Sequence, residues 1–83
     1  MNEIDRLTQE ILEGYREEMR LLLDWRNGNH EKLLRLFAEI KDLERDLIVQ
    51  VGDRKDALRM VSECYRVALQ EAMPAYVWGW VRR

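Results

Sequence analysis

The sequence predicts an all-α fold: an antiparallel three-helix bundle with a short aromatic C-terminal tail. Two observations carry that expectation. Apolar residues recur at steps of three and four in three long stretches, the spacing that places them on one face of a helix. Two glycine-bearing breaks, Asn27-Gly28-Asn29 and Gly52-Asp53, divide those stretches and carry the residue types that end and restart helices. The expected helices span about residues 3–26, 30–51 and 54–73, with a tail over 74–83, in one domain covering 1–83.

The first stretch carries Ile4, Leu7, Ile11, Tyr15, Leu22 and Trp25 on one stripe. Acidic residues fill its first half and Arg16, Arg20 and Arg26 its end, an order that complements the helix dipole. Gly14 lies on the apolar side, where it costs about 1 kcal/mol relative to alanine, so a close helix crossing is expected there. Leu12, Met19 and Leu23 form a second, thinner stripe. After the break, Gly28 can end the first helix at positive φ and Asn29 can cap the second. A loop this short makes the two helices antiparallel neighbours.

The second stretch, His30 to Val51, repeats Leu33, Leu36, Phe37, Ile40, Leu43, Leu47 and Val51. It is expected to be the structural centre and to contribute most of the core. Leu34, Ala38, Ile48 and Val49 lie off its stripe. Glu31 and Arg35 form an i,i+4 pair in the favourable order. Asp53 and Asp56 resemble a capping box for the third helix. Its inner face mixes small residues (Ala57, Val61, Cys64, Ala68, Ala72) with larger ones (Leu58, Tyr65, Leu69, Met73). The small row lets a neighbouring helix approach closely. Pro74 biases Met73 out of the α region, so the helix should end or kink there.

Composition narrows the class of function. Eighty-three residues bury only about 60% of their extended surface, so stability must come from good packing or a partner. There is one cysteine, which allows no internal disulfide and fits a reducing cytoplasm. The net charge of −2 argues against direct nucleic-acid binding. The acidic, periodic N-terminus is unlike a signal peptide, and no apolar run approaches the roughly 18 residues that span a bilayer.

Catalytic signals are sparse. His30 has only Glu31 adjacent, and neighbouring helical residues do not face each other. Cys64 falls on an apolar face, the setting of a structural thiol. There is no Glu-x-x-His spacing for a di-metal bundle, no phosphate loop and no nucleophile elbow. Glu18 is the one carboxylate on the first helix's apolar stripe, between Gly14 and Leu22, so an enzyme using interior carboxylates would rest on it.

The favoured expectation is therefore a non-catalytic protein–protein interaction module, needing no cofactor or metal. Leu12, Met19, Leu23, Leu34, Val49, Met60 and Val67 exceed what a three-helix core requires, and surplus apolar surface marks interfaces. Tyr76, Trp78 and Trp80 in the tail are residue types that dominate interface hot spots. They would close the bundle end, anchor a partner, or touch a membrane surface with Arg82 and Arg83. Self-association into a homodimer would use the same surplus.

Two local resemblances point the same way. The ending Pro74-Ala75-Tyr76-Val77-Trp78-Gly79-Trp80-Val81-Arg82-Arg83 resembles the Pro-x-x-Val-Trp-x-aromatic-aliphatic-Arg ending of the Hha/YmoA family, small helical proteins that bind nucleoid-associated partners. The rest of the chain does not follow that family, whose members are more basic. Gly28-Asn29-His30-Glu31-Lys32-Leu33-Leu34-Arg35-Leu36 is similar to the second-helix start of FliT-like flagellar export chaperones. Both imply a small cytoplasmic helical protein that acts by binding another protein. Neither covers enough of the chain for functional residues to be carried over.

Overall fold

The computed structural model describes residues 2–24 and 28–81, with side chains over 2–24 and 28–74. Three helices, α1 (Glu3–Leu23), α2 (His30–Val51) and α3 (Arg54–Val81), pack against one another. Each starts or stops for a local reason. Asn2 caps α1, its Oδ1 accepting from the Asp5 amide at 2.8 Å, which satisfies one of the unpaired first-turn donors. Asp53 does the same for α3, accepting from the amides of Lys55 at 2.8 Å and Asp56 at 3.4 Å. Gly52 ends α2 with φ +81°, and its amide bonds the Ile48 carbonyl at 2.9 Å. Gly28 also takes positive φ, +73°.

Asn29 holds the N-cap position of α2 but does not cap it with its side chain. Its amide nitrogen donates instead to the Asp24 carbonyl at 2.8 Å. The buried Asn29 thus ties the turn back to the end of α1.

The described part of α1 ends at Leu23, and Trp25 and Arg26 lie outside the described residues. Helix α3 differs more from expectation. It does not stop near Met73 but runs on to Val81 with Pro74 inside it. Proline removes one N–H, the donor that would meet the Gln70 carbonyl. Gln70 and Pro74 are both exposed, where solvent can satisfy that carbonyl.

The core is centred on α1, not on α2. Leu7, Ile11, Met19 and Leu21 of α1 are buried, against Leu33, Ile40 and Leu47 of α2 and Ala57, Val61 and Ala68 of α3. Helix α1 packs extensively on both neighbours, while α2 and α3 touch each other less. A helix flanked on two sides must bury a wide face, which is why Leu21 and Met19 are covered as well as the Leu7–Ile11 stripe. The tightest cluster is Leu7, Ile11, Leu47, Ala57 and Val61. Ala57 and Ala68 are small enough for α1 to approach α3 closely, as their row predicts.

Gly14 serves the other crossing. A Cβ there would lie 2.9 Å from Cγ1 of buried Ile40, so the glycine admits α2. Among the described residues no helix is long and apolar enough to cross a membrane.

Candidate functional site

Tyr15 joins the three helices. Its hydroxyl donates to Oε1 of Glu44 on α2 at 2.9 Å. Its ring meets Tyr65 of α3 edge-to-face, centroids 5.2 Å apart and planes at 86°. Burial, and then the bond to Glu44, push the Tyr15 hydroxyl well above the usual phenol range. Glu44 also lies 3.7 Å from Nζ of Lys41.

One and two turns further along α1, at i+3 and i+7, come Glu18 and Leu22. They share the Tyr15 face of the helix. Towards the Leu7 end that face is sealed by α2 and α3. Beyond Tyr15 it opens: Leu22 of α1, Phe37 of α2, and Tyr65, Leu69 and Met73 of α3 are each more than a third exposed. Tyr65, Leu69 and Met73 follow at steps of four, so they form one ridge along α3. The result is an open apolar groove with α1 as its floor. At its α2 side a cleft of about 190 Å³ is lined by Tyr15, Glu18, Phe37, Ile40, Lys41 and Glu44.

Glu18 is the unusual group in this cleft. Its Oε2 is shut off from solvent and accepts no hydrogen bond from any described residue. A shielded acceptor without a donor is costly and uncommon. Burial raises the Glu18 carboxyl above the usual carboxylate range, because the charged form loses hydration without gaining a partner. Several other carboxylates are paired at the surface, as Glu13 is with Arg16 and Glu31 with Arg35 at 3.8 Å.

The expected contact residues divide on the structure. Leu34 and Val49 of α2 and Leu23 of α1 are exposed, and Leu12 is half-buried. Met19 is corrected: at 4% exposure it is core. It lines the α1–α3 seam with Ala68 and Ala72, whose small side chains leave room for it. Leu22 and Phe37 move the other way, from expected core to groove. Val49, 72% exposed, stands half a turn from the Leu47 face. Tyr76, Trp78 and Trp80 sit in the helical backbone of α3, and their side chains fall outside the described residues. His30 is exposed at the start of α2. Cys64 is half-buried, its Sγ 3.5 Å from the Thr8 carbonyl, and burial pushes its thiol up. Among the described residues no group of three His, Cys, Asp or Glu side chains could hold a metal ion.

The groove was missed in the sequence because Leu58, Tyr65, Leu69 and Met73 share a helical spacing with the small row of α3. The available signal was size. Small residues mark the side where helices touch, and the large ones beside them then stand clear.

Comparison with protein-family models, curated proteins and solved structures returned no match for this chain.

Proposed function

We propose that this chain is a non-catalytic protein–protein interaction module, a small helical adaptor, regulator or chaperone of the cytoplasm. The observation that carries the reading is the groove face: Leu22, Phe37, Tyr65, Leu69 and Met73, large apolar or aromatic side chains from three helices, are each more than a third exposed. Single exposed apolar residues are ordinary, whereas a contiguous rimmed patch marks an interaction site. Leu34, Leu23 and half-buried Leu12 add apolar surface on neighbouring faces. Tyr76, Trp78 and Trp80 would extend the surface at the end of α3 with hot-spot residue types.

The contact pairs support an antiparallel arrangement. Glu44 meets Tyr15, while Lys32 and Leu36 lie beside Glu17 and Leu21, so α2 descends as α1 rises. Thr8 meets Cys64 and Arg16 meets Glu71, so α3 rises with α1.

The test is capture from the source cell with wild-type chain against Leu34→Asp/Phe37→Asp. Loss of one specific partner, with helical circular dichroism retained, is the expected result. An identical set of bound proteins for both forms would refute the reading.

A second reading, acid–base chemistry by Glu18, draws on its raised carboxyl and its place in the cleft beside Tyr15 and Glu44. Groups with perturbed pKa in a cleft are candidates for such work. Glu18→Gln would abolish any activity found in a substrate screen; full activity in that variant would dismiss it.

A further inference from the structure

Two side-chain donors line the cleft beside Glu18 among the described residues, and both are committed to Glu44. The Tyr15 hydroxyl donates to Glu44 Oε1 at 2.9 Å, and Lys41 Nζ lies 3.7 Å from Glu44 Oε2. Helix α3 brings Tyr65 and Cys64 near Tyr15 but adds no carboxylate, lysine, arginine or histidine to the lining. Oε2 of Glu18 is thus left with neither a donor nor solvent.

The two protonation states of Glu18 fit this setting unequally. A neutral carboxyl loses little by being shut away, whereas a carboxylate loses its hydration and gains no partner. Burial accordingly raises the Glu18 carboxyl above the usual carboxylate range. Its contribution to stability is therefore present below the unfolded pKa of about 4.3 and is lost as pH rises through the raised folded value.

Ionised Glu18 recovers its hydration only if water enters. The cleft of about 190 Å³ has the room and the polar partners that a buried water needs. Its apolar lining comes from α2. Phe37 is 41% exposed and can swing outward, while Ile40 is buried and packs at the Gly14 crossing. Water reaching Glu18 would therefore wet Ile40 before it reached the Leu7–Ile11 end of the core.

We propose that this cleft is a proton-operated latch. With a proton on Glu18 it stays closed and α2 is held against α1 at Ile40; ionisation of Glu18 draws water in past Phe37. Phe37 also borders the open groove, so the latch sets the shape of that wall, whether or not the groove is occupied.

The experiment is nuclear magnetic resonance on the full chain from about pH 4 to about pH 8. It follows the Glu18 carboxyl carbon and the relaxation of isoleucine δ1 methyls by a soluble paramagnetic agent. Glu18 should titrate above the ordinary glutamate midpoint of about 4.3. Relaxation at Ile40 should rise with the same midpoint as Glu18. Ile11, which has no exposed area, should stay protected throughout. In E18Q the Ile40 step should be lost. The carboxyl titration needs only the wild-type chain, so it stands even if that variant folds poorly. An ordinary midpoint for Glu18, an Ile40 methyl that ignores its ionisation, or a step that survives in E18Q would overturn the latch. So would Ile11 and Ile40 becoming accessible together, which would mean that the whole bundle loosens.

Discussion

Gly14 and Ile40 touch so closely that any side chain at position 14 crowds the crossing: a Cβ on Gly14 would lie 2.9 Å from Ile40 Cγ1 and 3.3 Å from Cδ1. Ile40 is buried and β-branched, so it cannot simply swing aside. Alanine at position 14 gains about 1 kcal/mol of helix propensity but overpacks the crossing at a cost of about 1–3 kcal/mol. Gly14→Ala is therefore expected to lose about 1 kcal/mol net by urea denaturation. A stabilised variant would show that α2 can retreat freely.

Arg16 fastens α1 to α3. Its Nε and Nη2 donate to Oε2 and Oε1 of Glu71 at 2.7 and 2.9 Å. The Arg16 guanidinium holds the Glu71 carboxyl below the usual carboxylate range. A carboxyl whose folded pKa is depressed stabilises the fold above its unfolded pKa and loses that contribution as pH falls through the folded value. Glu71→Gln should be slightly less stable than wild type at about pH 7, and the two should converge at about pH 3. The effect is small because both side chains are solvated. A constant gap across that range would exclude the pair as its source.

Tyr15 makes one hydrogen bond and one ring contact that serve different partners. Tyr15→Phe should cost about 1 kcal/mol, the usual net value of one such bond. Tyr65→Ala should cost about 1 kcal/mol more than its lost area, for the edge-to-face contact. If Tyr15→Phe melts with wild type, the Glu44 bond contributes nothing to stability.

Burial separates two other sites sharply. Leu7 has no exposed area, and Leu7→Ala should lose about 2–5 kcal/mol, a large part of the stability of so small a domain. Val49→Ala, at 72% exposure, should stay within about 0.5 kcal/mol of wild type. Equal costs at the two positions would contradict the core described above.

Cys64 offers a chemical readout. Burial disfavours its thiolate, the species that reacts. Alkylation by iodoacetamide at about pH 8 should be slower than in the urea-unfolded chain by about tenfold. Matching rates would mean that the α1–α3 seam opens readily.

Three helices and their breaks were legible because they follow from local chemistry. Spacing in the chain set the apolar faces, glycine supplied the positive φ at residues 28 and 52, and Asp53 supplied the cap of α3. The tight crossing at Gly14 was legible too, since a glycine on an apolar face has few other uses. Where α3 ends was not, because a single missing N–H at Pro74 is a local penalty that the rest of the helix can override.

Which helix sits in the middle, and therefore which residues are covered, was decided by tertiary structure alone. Periodicity gives a face its direction but not its width. With α1 flanked on both sides, Met19 and Leu21 join the core. With α2 and α3 less extensively in contact, Leu22 and Phe37 are left in the open. The sequence by itself determined helices, breaks and apolar stripes. The packing of three such stripes left one oxygen of Glu18, Oε2, shielded from solvent with no hydrogen-bond donor among the described residues, because a side chain's surroundings depend on elements distant in the chain.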